Sequence, residues 1–126
     1  MKILIIEDQP TELKLAHHVL DAAGHTVHAI AAAEEAFTSI REDRPQIILL
    51  DLVLPGMDGM TLVRMLKKDP QTRDIPVVAV TCYPEKFSKA AALQAGCDAY
   101  LVKPLSTRTL PQDLSDVLTR GSGSRP

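Results

Sequence analysis

The stretch Ile47-Ile48-Leu49-Leu50-Asp51-Leu52-Val53-Leu54-Pro55-Gly56-Met57-Asp58-Gly59 decides the fold class. Its first four residues are apolar at every position, too few for a helix and without the alternation of a strand that faces water on one side. Such a run suits a strand covered on both faces, the usual situation in a parallel sheet. A carboxylate, Asp51, stands where that strand ends, and Pro55-Gly56 turns the chain. Asp58 is placed to cap a following helix with the stripe Leu62, Val63 and Leu66, and Lys67 and Lys68 oppose the dipole of its last turn.

Outward from this stretch the same run recurs at Ile3 to Ile6, Val77 to Val80 and Ala99 to Val102, each expected as a buried strand. Thr26 to Ile30 is more mixed, with polar His28, and suits an edge. Helical spacing fills the intervals. Leu13, Ala16, Leu20 and Ala23 form one stripe, closed by Gly24; Ala33, Ala36, Phe37 and Ile40 form another; Leu110, Leu114, Val117 and Leu118 form the last. The interval Glu85 to Ala95 is alanine-rich and only weakly amphipathic, with Gly96 marking its end. Pro111 lacks an amide proton and belongs in a first helical turn, which places the start of the last helix near Thr107 to Thr109. Strand then helix, five times over, predicts an α/β fold with one open, doubly wound parallel sheet and right-handed crossovers.

The chain has 126 residues, the length of one domain. Residues 1–120 are expected to form it, and 121–126, rich in Gly and Ser, to be a flexible tail or linker stub. Hydrophobic residues at 45% and charged residues at 24% exclude a disordered or fibrous chain. Fourteen Lys and Arg against 16 Asp and Glu are scattered without a basic stripe, so no direct nucleic-acid partner is expected. Only Phe37, Tyr83, Phe87 and Tyr100 are aromatic, too few for a stacking platform. Four apolar residues before Glu7 are far short of a signal core or a membrane span, so the expected location is cytoplasmic, with no membrane partner. Cys82 and Cys97 read as two small buried thiols, and His17, His18, His25 and His28 as surface or edge residues.

In open α/β sheets ligands bind beyond the carboxyl ends of the strands. The residues there are polar four times: Glu7-Asp8, Asp51, Thr81 and Lys103. Three carboxylates crowded together repel one another unless a cation joins them. With Lys103 protonated, two negative charges remain, which one hard divalent cation such as Mg²⁺ cancels.

These residues resemble the receiver domain of two-component response regulators, over nearly the whole chain, from Lys2 to about Leu118. The resemblance implies a flavodoxin-like, five-stranded parallel sheet in the order 2-1-3-4-5 with five helices. It implies Asp51 as a phosphoacceptor, and Mg²⁺ held by Asp8 and Asp51, by the Val53 backbone carbonyl and, through a water, by Glu7. Lys103 and Thr81 would contact phosphoryl oxygens, Tyr100 would act as the switching aromatic, and Lys103-Pro104 would be a cis peptide. The implied partners are a histidine kinase or histidine phosphotransfer protein and a downstream effector domain or protein, and a phosphorylation-dependent dimer is among the assemblies allowed. The domain would be a signalling switch and no enzyme beyond its own phosphoryl transfer and slow autodephosphorylation. Three positions depart from the usual pattern or colour it: Glu7 is a longer variant of Asp, Cys82 is bulkier than the usual Ala or Gly and narrows access to the pocket, and apolar Val53 cannot orient a water.

Two other readings, one an enzyme and one a binding function, fit less well. An aspartyl-nucleophile phosphatase needs an acid two residues past the nucleophile, where Val53 stands, and a nucleotide binder wants a glycine-rich loop after the first strand, where Glu7-Asp8-Gln9 stands. A pseudo-receiver, an interaction domain that is never phosphorylated, retains the same residues and stays open.

Overall fold

The computed structural model describes residues 1–124. Five parallel strands, β1 (Lys2–Ile6), β2 (Thr26–Ile30), β3 (Ile47–Asp51), β4 (Val77–Thr81) and β5 (Ala99–Val102), form one sheet in the order β2-β1-β3-β4-β5. The helices are α1 (Pro10–Ala22), α2 (Ala36–Glu42, entered through a 3₁₀ turn at Ala33–Glu35), α3 (Gly59–Lys68), α4 (Lys89–Ala95) and α5 (Leu110–Ser124). The end of α5 thus runs into the Gly/Ser stretch expected as a tail, and Arg125 and Pro126 lie outside the described residues.

The unbroken apolar runs divide by parity between two cores. Leu4, Ile6, Ile48, Leu50, Val77 and Ala79 pack with α2, α3 and α4, while Ile3, Ile5, Ile47, Leu49, Val78 and Val80 pack with α1 and α5. Successive strand side chains point to opposite faces, so only a strand apolar throughout can serve both layers. β2, the mixed run, lies at one edge.

Three expectations are corrected. β5 forms the other edge and is only half-buried, with Val102 46% exposed, because an edge strand has one neighbour fewer to cover it. α4 begins at Lys89 and not at Glu85. The Tyr83 carbonyl accepts from the Lys86 and Phe87 amides in a turn, and the Ser88 hydroxyl then caps a new start by accepting from Ala91 N. Cys97 is buried but Cys82 is exposed, since it lies one residue past the end of β4.

α3 sits directly against the end of β3. Asp58 caps it as expected, accepting from Thr61 N at 2.8 Å, and Gly59 N donates to the Leu52 carbonyl. A Cβ on Gly59 would lie 2.7 Å from Leu52 Cα and 2.8 Å from the Asp51 carbonyl oxygen, so only glycine lets the helix approach the Asp51 backbone this closely. Gly59→Ala should therefore lower stability by about 1–3 kcal/mol, as overpacking against backbone does. A urea midpoint equal to that of the wild type would contradict this account of the packing.

Candidate functional site

The register carries the polar strand ends to one edge of the sheet. Ile6 lies beside Leu50, Asp51 beside Val80, and Thr81 beside Val102, so Glu7, Asp8, Asp51, Thr81 and Lys103 stand at one edge of the sheet. β3 lies between β1 and β4, and this places the nucleophile candidate at the centre.

The Asp51 carboxylate is 5% exposed. Its Oδ1 accepts from Val53 N at 2.9 Å, and its Oδ2 accepts from Lys103 Nζ at 3.0 Å. Lys103 Nζ also donates to Glu7 Oε1 at 2.7 Å and to Glu12 Oε2. Glu7 in turn accepts from Gln9 N through Oε2. Burial and the adjacent Asp51 carboxylate push the Glu7 carboxyl up to about 7, against the pull of Lys103. Burial alone would lower the Lys103 ammonium, but the carboxylates of Glu12, Glu7 and Asp51 outweigh it and hold its pKa above the ordinary lysine value.

Ligand oxygens of Glu7, Asp8 and Asp51 all lie within 4.8 Å of one another. Glu7 and Asp51 are buried and Asp8 half-buried. A set of carboxylate oxygens with one member open to solvent suits a hard cation that keeps part of its water, so these residues fit Mg²⁺.

Thr81 is fully buried, and its Oγ1 accepts from Tyr83 N at 2.9 Å. Tyr100 is half-buried and its hydroxyl donates to the Phe87 carbonyl. The Lys103–Pro104 peptide is cis. Glu12 is the participant missed in the sequence. It belongs to the first turn of α1 and does not follow a strand, so inspection of strand ends passes over it. The retrievable signal is Pro10 opening a helix just after Asp8, which puts Glu12 in the first turn of a helix that starts beside the strand ends.

Among the described residues no helix is long and apolar enough to cross a membrane. Residues 3–115 match the family model described as response regulator receiver domain. The polar-differentiation response regulator DivK of Brucella anthropi is 36% identical over 104 residues, which are 82% of this chain and 85% of that protein. Among solved structures, the chemotaxis response regulator CheY4 of Vibrio cholerae is 29% identical with a TM-score of 0.83, covering 92% of this chain and 97% of that one. The receiver domain of the sensor histidine kinase PA1611 from Pseudomonas aeruginosa PAO1, described with a magnesium ion coordinated in its active site cleft, is 29% identical with a TM-score of 0.85, covering 94% and 97%. Sheet order, acidic cluster and family match agree, and the chain belongs to the response regulator receiver domains of two-component systems.

Proposed function

We propose that Asp51 is a phosphoacceptor, taking a phosphoryl group from the phosphohistidine of a histidine kinase or histidine phosphotransfer protein in a Mg²⁺-dependent reaction. The observation that supports this best is a buried carboxylate at the end of β3 with an ammonium 3.0 Å away and two further carboxylates beside it. An Asp51 oxygen attacks phosphorus, the bond from phosphorus to the donor imidazole breaks with its electron pair returning to nitrogen, and an acyl phosphate results. Val53 N and Lys103 orient the attacking group, and Lys103 balances the charge on the phosphoryl oxygens. Glu7, Asp8, Asp51 and the Val53 backbone carbonyl would hold Mg²⁺, which when bound neutralises charge shared by the carboxylates and the incoming group.

The output reading rests on a chain of hydrogen bonds. If the Thr81 hydroxyl turns to a phosphoryl oxygen, it gives up the bond from Tyr83 N. The Tyr83 carbonyl accepts from Phe87 N at 2.9 Å, and the Phe87 carbonyl accepts from the Tyr100 hydroxyl, so movement at Thr81 reaches β5 through one loop. A phosphoryl group that contacts the moved Thr81 better shifts the population toward it. The face of α4, β5 and α5, where Leu93 and Val102 are exposed, then changes its fit to a downstream effector domain or protein. The domain is a switch acting in the cytoplasm, and its turnover is limited to its own phosphoryl group.

Incubation with Mg²⁺ and phosphoramidate should add one phosphoryl group to the wild type by intact mass and none to Asp51→Asn. An equal gain in the variant would overturn the assignment, and no gain in the wild type would mark a pseudo-receiver. Thr81→Ala should still be phosphorylated. With Mg²⁺ and beryllofluoride it should lose the amide shifts that the wild type shows from Ala90 to Lys103, whereas undiminished shifts would place the coupling elsewhere.

A further inference from the structure

One ammonium serves three carboxylates in this site, and they are not equivalent. Glu7 and Asp51 are fixed by strands β1 and β3, and their side chains are 9% and 5% exposed. Glu12 comes from the first turn of α1, and its side chain is 47% exposed. A lysine has three N–H donors, so these contacts occupy all of them. Glu12 also changes the charge balance of the cleft: with it, one divalent cation no longer cancels the carboxylates that Lys103 leaves over.

A phosphoryl group on Asp51 presents several new oxygens to Lys103; the donor now on Asp51 can follow the first, and to meet a second Lys103 must release Glu7 or Glu12. Glu7 is the poorer choice, because it is buried and a carboxylate there that loses the ammonium keeps much of its desolvation cost even with Gln9 N still donating to it. Glu12 can rotate into water, where a half-exposed carboxylate is resolvated at little cost. There is room for the change, since a cavity of about 100 Å³ borders Glu12, Leu15, Ala16, Lys103 and Leu105. Gln9 makes no side-chain cap bond, and its amide donates to Glu7.

On the phosphoacceptor reading above, we infer that Glu12 is a positioning residue that occupies Lys103 while Asp51 is unmodified and is displaced when the phosphoryl group arrives, so that the first turn of α1 reports the state of Asp51. Glu12 thereby favours the unmodified state and opposes the modified one, because it binds Lys103 only in the first.

The test is the affinity for beryllofluoride in the presence of Mg²⁺, measured by NMR titration for the wild type, Glu12→Gln, Glu12→Ala and Asp21→Asn. Both Glu12 variants should bind about two- to fivefold more tightly, the size of a half-exposed ion pair. Asp21→Asn removes the same charge from the exposed far end of α1 and should match the wild type. In the wild type the amides from Glu12 to Leu15 should shift on binding, and in Glu12→Gln those shifts should shrink while those of Thr81 and Tyr83 persist. Equal or weaker binding by both Glu12 variants, or equal tightening by Asp21→Asn, would overturn the inference alone. A wild type that binds no beryllofluoride and takes no phosphoryl group from phosphoramidate would overturn the phosphoacceptor reading and this inference with it.

Discussion

The Lys103 ammonium, held between carboxylates, is the interaction on which the site depends. It joins the last strand to the first and third, reaching Glu7 and Asp51 across 96 and 52 residues of sequence. A buried cation is costly to desolvate, and so are the carboxylates around it. Each is tolerable only because the others are there. Removing Lys103 would leave Glu7 and Asp51 facing each other in a buried cleft, already the reason the Glu7 carboxyl stands near 7. The strand order supports this arrangement. With β3 between β1 and β4, the Asp51 strand end is flanked by Glu7 on one side and by the Thr81 and Lys103 strand ends on the other.

The same cluster explains how a local chemical event can have a distant consequence on the proposed reading. The groups that would meet a phosphoryl oxygen each have a present partner to give up. Thr81 holds Tyr83 N, and Lys103 holds Glu12. The first release leads along the loop from Tyr83 to Phe87 and so to Tyr100, and the second leads to α1. Neither route requires strain. Each requires that the new contact be stronger than the old, and every 1.4 kcal/mol of difference is about a tenfold change in population.

Much of this was legible in the sequence because burial on both faces of a parallel sheet leaves a plain signature. The runs Ile3 to Ile6, Ile47 to Leu50 and Val77 to Val80 could hardly be anything else, and each delivers its next polar residue to one edge. The order of the strands was not readable from periodicity, which says nothing about neighbours, and came from the resemblance. Ala99 to Val102 carried the same signature without the same burial, because apolar composition does not reveal that a strand lies at an edge. The start of α4 was misplaced because Glu85, Lys86 and Phe87 carry no glycine or proline to break a helix, and only the Tyr83 turn and the Ser88 cap stop it. Glu12 went unseen for a different reason. Pro10 marks the helix start beside Asp8, but the angle that carries Glu12 to Lys103 is a tertiary fact.

The central claim is that the group modified is the Asp51 carboxylate and that its product is an acyl phosphate. The most direct measurement is to phosphorylate the protein with phosphoramidate and Mg²⁺, reduce it with borohydride, and map the peptides by mass spectrometry. Borohydride converts an aspartyl phosphate to homoserine and leaves free carboxylates and phosphate esters unchanged. The account predicts homoserine at position 51 and at no other acidic residue. Homoserine at Asp8, or a phosphate that survives reduction on a hydroxyl or a histidine, would contradict it.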